Sequence, residues 1–431
     1  METNPTRMCE LLVGLPDVRV LGIFGPAGEP LRVHIETRRT TPVACSTCGV
    51  VAKVKDRPEV ELADLPAFGR STRLVWHKVR WRCADPDCAT GSWTEQDDRI
   101  AFPRMAMTDR AGRWVTEQVG RRARSVSELA RELGCDWHTV NDAVVAYGEA
   151  LIDEPGRYGN VVALGLDEVL MVRRGEFRRQ EFSTSICDVQ AGQLLDIVPG
   201  RKGGGSINWL EKKGRAWRKK VRWCTLDMSG PYRAVFDKML SHATQVADPF
   251  HVCKHANEKL DECRRRVQNE TLGHRGRKAD PLYRCRRLLT KADERLDDHG
   301  REKLLGLLRA GDPRGEVTTA WHAKEAVRAL YSHTDEATAR EWIDRLIEDM
   351  ADTDNPVEVR SLGRTLKRWK EHIVAWHRSK VSNGPTEAAN NLIKRVKRTA
   401  FGFTSFRNYR VRALLYAGKP RWALLATVAP R

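Results

Sequence analysis

The chain has 431 residues, with 75 Lys or Arg against 57 Asp or Glu, so its formal net charge at pH 7 is +18. Such a length predicts about two to four domains, and the positive charge favours a polyanionic partner, with nucleic acid as the first candidate and a membrane surface as the second. Because the sequence has no apolar run long enough to span a bilayer and its first residues lack the apolar core of a secretion signal, we expect a cytoplasmic, nucleoid-associated protein that does not enter a membrane.

Residues 1–100 are predicted to form a small β-rich domain. Apolar and polar residues alternate in short runs at Val18–Phe24, Leu31–Glu36 and Thr72–Trp81, with Gly and Pro between them. Such alternation is typical of strands with one buried face.

Four of the eleven cysteines form two closely spaced pairs within this domain. In a reducing compartment an odd number of scattered cysteines indicates metal ligands and buried thiols rather than disulfides. Two turns, each carrying two thiolates, can close a tetrahedral Zn²⁺ site that substitutes for a large core. The expected ligands of this structural Zn²⁺ are Cys45, Cys48, Cys83 and Cys88. His34 and His77 are spare ligands, and the alternative is that the four cysteines are ordinary buried thiols.

Residues 101–155 are predicted to form a helix-turn-helix domain. The hydrophobic period becomes helical after Arg113, Ser127 is a candidate N-cap, Gly134 ends one helix, and Asp136 or Trp137 begins the next. In a helix-turn-helix the second helix enters the major groove, so its first residues would contact bases or phosphates. The predicted DNA contacts in this domain are Arg121, Arg122, Arg124, Trp137, His138, Thr139 and Asn141. The alternative is a helical hairpin used only for packing.

Residues 156–254 are predicted to form the first part of a ribonuclease-H-like core. Strand patterns and helical patterns follow one another as strand, strand, strand, helix, strand, helix, strand. The predicted elements are Val161–Met171, Arg178–Val189, Gln193–Val198, Ser206–Lys213, Val221–Leu226, Tyr232–Leu240 and Thr244–Ala247. In that fold the first and fourth strands are neighbours, so Asp167 and Asp227 would lie side by side.

Residues 255–380 are predicted to be an α-helical insertion, and residues 381–431 to complete the core with a helix and a basic tail. In the stretch Ser382–Arg398, Pro385 suits a first helical turn, and Glu387 is followed at helical spacing by Asn390 or Asn391 and then by cations. The predicted DNA contacts on this helix are Asn391, Lys394, Lys397 and Arg398. The alternative is a solvated, charged helix face.

Asp167, Asp227 and Glu387 are the predicted catalytic carboxylates. Three carboxylates about 4 Å apart repel one another by roughly 4 kcal/mol per pair at an effective dielectric constant near 20, so they would need bound cations. Oxygen ligands select Mg²⁺ or Mn²⁺, and two such ions can support an in-line phosphodiester displacement. Asp248, which ends the fifth predicted strand, is an alternative second carboxylate.

The chain resembles the DDE transposases of the ISL3 family of insertion sequences, nearly from end to end. The residues that carry the resemblance are the cysteine pairs, the helix-turn-helix, Leu164–Glu168, Leu226–Tyr232, Ala247–Val252 and Asn383–Glu387 with its continuation to Arg410. The resemblance implies that Asp167, Asp227 and Glu387 are the catalytic triad and that Asp248 and His251 are a supporting pair. It also implies an enzyme that cuts its element from double-stranded DNA and joins the ends to a target, with the zinc and helix-turn-helix segments recognising the terminal inverted repeats.

Because two DNA ends are joined, a homodimer is expected when DNA is bound. Two other functions stay open at this point. The first is a DNA-binding regulator derived from a transposase that has lost its chemistry, and the second is a host nuclease or resolvase on the same fold. The retained acids disfavour the regulator, and the two DNA-reading modules disfavour the nuclease.

Overall fold

The first part of the chain folds into two small sheets followed by three helices. The computed structural model describes residues 1–431. The elements are α1 (Pro5–Val13), β1 (Val18–Phe24), β2 (Leu31–Thr37), β3 (Lys53–Asp56), β4 (Glu59–Ala67), β5 (Arg70–His77), β6 (Arg80–Arg82), β7 (Ser92–Thr94), α2 (Asp109–Gly120), α3 (Val126–Leu133) and α4 (Trp137–Ile152). One sheet has the strand order β1-β2-β5-β4 and the other β3-β6-β7. The predicted run Thr72–Trp81 is divided between β5 and β6.

The larger of these sheets has an apolar core, whereas the smaller one has almost none. Alternate side chains of the larger sheet, such as Ile35, Leu74 and Trp76, are fully buried. In the smaller sheet only Ala52, Val79 and Trp81 form a buried cluster. A sheet this poor in apolar contacts requires another source of stability, which a metal ion can supply.

The turn between α3 and α4 has defined caps. Gly134 ends α3 with φ 62°, a left-handed conformation that favours glycine. The predicted N-cap Ser127 is wrong, because Ser125 has the extended backbone of a cap and its hydroxyl accepts a hydrogen bond from the Glu128 amide at 3.1 Å. With Glu at the third helical position, this is a capping-box sequence. The α4 helix begins at Trp137, after Asp136, as predicted.

The middle of the chain forms a mixed five-stranded sheet. Its elements are β8 (Ala163–Arg174), β9 (Arg179–Asp188), β10 (Gln193–Pro199), α5 (Gly204–Lys212), α6 (Gly214–Arg218), β11 (Trp223–Leu226), α7 (Gly230–Met239) and β12 (Thr244–Ala247). The strand order is β10-β9-β8-β11-β12. The first three strands pair antiparallel, whereas β11 pairs parallel with both β8 and β12. The first and fourth strands of this sheet are therefore neighbours.

The remaining elements are helical. They are α8 (Pro249–Leu272), α9 (Pro281–Thr290), α10 (Asp298–Gly311), α11 (Glu316–Ala329), α12 (Glu336–Ala351), α13 (Val357–Ser379), α14 (Gly384–Thr399) and α15 (Phe406–Ala417). Among them α12 packs on α13, α11 packs on α8, and α13 contacts both α8 and the edge strand β12. None of the helices has both the length and the apolar character needed to cross a membrane.

The chain divides into two compact units. The central unit comprises Asn160–Asn390, and the flanking unit comprises Met1–Gly159 together with Asn391–Arg431. Within the flanking unit α15 packs against α2 and α4, and Arg407 forms an ion pair with Glu149 at 2.6 Å. The finer division into five domains stays a prediction.

Candidate active site

Asp167 and Asp227 lie on adjacent parallel strands of the central unit. The β8–β11 register pairs Gly165 with Thr225, so each aspartate lies two residues beyond that pair, in β8 and directly after β11. Met228, which follows Asp227, has φ 61°, and this uncommon conformation for a residue with a side chain turns the backbone sharply at the strand end. Strand pairing and this turn bring the two carboxylates together.

Both aspartates are partly buried, and their environments disfavour negative charge. Burial, followed by the charge of Asp227, raises the pKa of Asp167 to about 6. Burial likewise raises the pKa of Asp227. The Asp227 Oδ1 atom is buried and has no hydrogen-bond partner in the protein. A partly buried pair of carboxylates, one of which has an oxygen without a hydrogen-bond partner, is a favourable binding site for a cation.

Glu387 lies in the first turn of α14, and its contact within the central unit is to His251. The His251 Nε2 atom is 3.6 Å from Glu387 Oε1, and its Nδ1 atom is 3.1 Å from Asp248 Oδ2. Burial lowers the pKa of His251, but the hydrogen bond that its ring donates to Asp248 and the charges of Asp248, Asp227 and Glu387 outweigh that effect and raise the pKa. The carboxylates of Asp167, Asp227 and Glu387 do not form one compact ligand set.

Gly165 allows the segment before Glu387 to lie directly on β8. A Cβ atom added at Gly165 would lie 2.8 Å from Asn383 Oδ1 and 2.6 Å from Val189 Cγ1, and it would also clash with Thr386. Asn383 and Thr386 are fully buried, and Asn383 Oδ1 accepts a hydrogen bond from Thr225 Oγ1 at 3.0 Å. The start of α14 is thereby fixed against the two strands that carry the aspartates.

Asp248 differs from Asp227 because both of its oxygens have protein partners. It is 3% exposed, its Oδ1 accepts a hydrogen bond from the Asn383 amide at 2.8 Å, and its Oδ2 accepts one from the His251 amide at 3.4 Å. It is also the N-cap of α8. Asp248 thus connects the start of α8 to the residue that precedes α14.

Asn390 lies in the candidate site, whereas the predicted DNA contact among the two neighbouring amides of α14 is Asn391. Its Nδ2 atom donates a hydrogen bond to Asp167 Oδ2 at 2.8 Å, and the residue is 4% exposed. Asn391, which we had selected, is exposed and accepts a hydrogen bond from Lys394 at 3.5 Å. Helical spacing after Glu387 admits either Asn390 or Asn391, so spacing alone does not decide which of them reaches Asp167.

The four predicted zinc ligands come together in the flanking unit. The sulfur atoms of Cys45, Cys48, Cys83 and Cys88 all lie within 4.8 Å of one another, and no other group of three or more His, Cys, Asp or Glu residues does so. Backbone amides of Cys48 and Thr47 lower the pKa of Cys45 to about 6, whereas burial raises the pKa of Cys83. These residues fit a structural Zn²⁺. His34 and His77 contact each other at 3.0 Å instead.

The predicted DNA contacts of the predicted helix-turn-helix differ in exposure. Trp137 and His138 are exposed at the start of α4, Thr139 is partly buried, and Asn141 is only 6% exposed. Among the cations, Arg121 and Arg124 form ion pairs with the acids Glu117, Glu128 and Glu132, and Arg122 is exposed. On α14, Lys394 and Arg398 are exposed and Lys397 is partly buried.

Comparison with known proteins gives two family matches. Residues 164–413 match the model of the ISL3 family of DDE proteins, described as transposase. Residues 41–88 match a model described as the zinc-finger of transposase IS204/IS1001/IS1096/IS1165. The first match contains all three candidate catalytic acids, and the second contains all four cysteines.

Two known transposases are similar over most of the chain. The transposase for insertion sequence element IS1001 of Bordetella parapertussis is 25% identical over 383 residues, covering 87% of this chain and 89% of that protein. The transposase for insertion sequence element IS1557 of Mycobacterium tuberculosis is 25% identical over 413 residues, covering 88% of this chain and 87% of that protein. Because each similarity covers at least 87% of the chain, both include the central sheet.

Proposed function

The chain belongs to the ISL3 family of DDE transposases, and on that basis we propose that it binds the terminal inverted repeats of an insertion sequence, cleaves the DNA there and joins the ends to target DNA. The observation that carries this proposal is the pair Asp167 and Asp227 on adjacent parallel strands. Their burial, and the Asp227 oxygen without a protein partner, are suited to holding cations rather than to stabilising the fold.

A ribonuclease-H-like core is part of the proposal. Three antiparallel strands followed by two parallel strands, with the first strand next to the fourth, support it. Asp167, within β8, lies beside the carboxyl end of β11 that precedes Asp227, and a DNA strand at this end of β11 could reach both aspartates.

The residues proposed to hold two Mg²⁺ or Mn²⁺ ions are Asp167, Asp227 and Glu387. Their donor set consists of oxygen atoms, which is the chemistry that these cations prefer. Bound at such a site, the ions supply Lewis acidity for attack on a phosphodiester by water or a 3′-hydroxyl. The protein's own part is positional, because Asn390 orients the Asp167 carboxylate and His251 connects Glu387 to the buried Asp248.

DNA recognition is assigned to the zinc ribbon and the helix-turn-helix. The exposed Trp137 and His138 and the partly buried Thr139 at the start of α4 are suited to the groove, and the exposed Arg122 to a phosphate. Lys394, Lys397 and Arg398 on α14 are proposed to hold the DNA backbone. Two DNA ends joined in one reaction support a dimer in the DNA complex.

The proposal is tested with the purified full chain and an oligonucleotide duplex that carries the inverted repeat flanking its gene. With Mg²⁺ we expect cleavage at the repeat and joining to a second duplex. Asp167→Asn, Asp227→Asn and Glu387→Gln should each abolish both steps while leaving DNA binding unchanged. Asp237→Asn, which alters an exposed carboxylate on α7, is the matched control.

The outcomes separate the alternatives. Binding without cleavage by the unaltered protein would indicate a regulator, and cleavage without joining would indicate a nuclease. Full activity in all three acid variants would overturn the proposed site.

A further inference from the structure

A polar pocket lies within the flanking unit, where the helix-turn-helix meets the C-terminal segment. It is lined by the first turns of α3 and α15, by Trp137 and Asn141 of α4, and by the loop 400–405, and its volume is about 90 Å³. A cavity needs only about 10–15 Å³ to hold one water molecule, so this one has room for a compact ion. Its lining contains no Asp or Glu.

Arg412 lines this pocket and has no anionic partner. The residue is 5% exposed, its Nε atom is buried without a hydrogen-bond partner, and its guanidinium group forms no ion pair. Its nearest described interaction is with the ring of Phe403, whose centroid is 5.2 Å away. Burial lowers the pKa of Arg412 to about 10, which leaves the group charged at neutral pH. A buried cation without a counterion is costly in free energy, so binding of an anion in this pocket would be favourable.

Two helix N-termini open onto the same pocket. Ser125 caps α3 and Ser405 caps α15, and the first residues of both helices line the cavity. Each cap side chain accepts one amide hydrogen bond, which leaves other first-turn amides without a partner inside the helix. Helix N-termini carry partial positive charge and bind phosphate groups well.

We propose that this pocket binds one backbone phosphate of duplex DNA, held by the Arg412 guanidinium and by the first turns of α3 and α15. The assignment rests on the proposed function, because it takes the ligand to be DNA. Trp137, which is 39% exposed, and Phe401, which is 94% exposed, flank the pocket and offer apolar surface to the adjoining deoxyribose. Asn141, buried at the pocket wall, becomes a phosphate ligand rather than a reader of base edges.

This assignment predicts that Arg412 lowers the stability of the free protein and raises its affinity for DNA. Removing the charge without removing the volume should therefore shift the two properties in opposite directions. A purely structural arginine would, on replacement, lower stability and leave DNA binding unchanged in the folded protein.

The test uses Arg412→Met in the full chain. We expect a higher melting temperature without DNA, duplex binding weakened about tenfold, and a plot of log affinity against log salt whose slope is smaller by about one. Arg421→Met removes the same charge from an exposed ion pair with Glu154 and should change none of these quantities appreciably. Equal affinity and equal salt slope for Arg412→Met and the unaltered protein would overturn the proposal.

A second variant tests the pocket if Arg412→Met does not fold. Asn408 lines the cavity, and Asn408→Asp is isosteric and gives Arg412 an internal carboxylate. It should raise the melting temperature and weaken duplex binding, and an unchanged affinity would contradict the proposal.

Inorganic phosphate alone provides a test that does not depend on DNA. It should raise the melting temperature of the unaltered protein more than that of Arg412→Met, and equal shifts would overturn the pocket. A phosphate-dependent shift in a protein that binds no duplex would instead contradict the proposed function and leave the anion pocket standing.

Discussion

Asp248 Oδ1 accepts a hydrogen bond from the backbone amide of Asn383 at 2.8 Å, although 135 residues separate the two in the chain. This contact joins the N-terminus of α8 to the residue preceding α14, and hence joins the histidine and the glutamate of the candidate site. Through this hydrogen bond Asp248 has a structural role that Asp227 does not have.

The two aspartates should therefore respond oppositely to the same substitution. Asp248→Asn replaces an acceptor oxygen in a buried network and should lower the free energy of unfolding by about 2 kcal/mol. Asp227→Asn removes charge from a partly buried carboxylate that has an oxygen without a hydrogen-bond partner. This variant should have a free energy of unfolding that is higher by about 1 kcal/mol in the absence of divalent ions. Urea unfolding, monitored by tryptophan fluorescence, measures both changes in stability.

A cleavage assay on the same two variants tests which aspartate is catalytic. If Asp227→Asn retains DNA cleavage and Asp248→Asn alone abolishes it, Asp248 is the second catalytic carboxylate.

Asn390→Ala should slow DNA cleavage while leaving DNA affinity unchanged. The substitution removes the hydrogen bond that fixes Asp167, so the carboxylate would adopt several orientations and the rate should fall about tenfold or more. Single-turnover cleavage gives the rate, and a filter-binding isotherm gives the affinity. Asn269→Ala, at an exposed amide on α8, is the matched control. An unchanged rate for Asn390→Ala would remove this residue from the site.

Gly165→Ala should destabilise the central unit. The new methyl group would push against Asn383, Thr386 and Val189, and overpacking of this kind costs about 1–3 kcal/mol. Gly306 on α10 has open space around its Cβ position, so Gly306→Ala should raise stability slightly. Thermal unfolding of the two variants provides the comparison, and equal stability of Gly165→Ala and the unaltered protein would show that the start of α14 can move away from β8.

Removal of zinc should unfold the ribbon. A chelator, or Cys45→Ser, should release one Zn²⁺ per chain and alter the fluorescence of Trp81 and Trp93, because the buried cluster beside the cysteines is so small. Specific DNA binding should fall at the same time. Cys9→Ser, outside the cysteine set, should keep its zinc. Metal analysis that finds no zinc in the unaltered protein would refute this prediction.

Local spacing was enough to predict several features. Cysteine spacing identified the four residues whose sulfur atoms lie close together. Alternation of apolar residues located β1 with its observed bounds, and the order of elements in the central part of the chain located β12. The order of strands placed Asp167 and Asp227 on neighbouring strands, because short connections limit the topologies available.

Other features depend on contacts that local sequence does not specify. Asn390 and Asn391 are adjacent and have the same side chain, so only the packing of α14 decides which of them reaches Asp167. Ser125 and Ser127 are both good capping residues, and the backbone conformation at the start of α3 selects Ser125. Asn141 lines a pocket together with the loop 400–405, which is remote in the sequence.

The flanking unit is discontinuous, and this has a consequence for biosynthesis. Residues 125–141 emerge from the ribosome long before residues 400–412, which complete the pocket around Arg412. The central unit is a single uninterrupted stretch and can fold during translation. Under the proposed function, a polypeptide that stops just before residue 400 would contain Asp167, Asp227 and Glu387 but lack Arg412, so an incomplete product would bind DNA poorly and would rarely cut the genome.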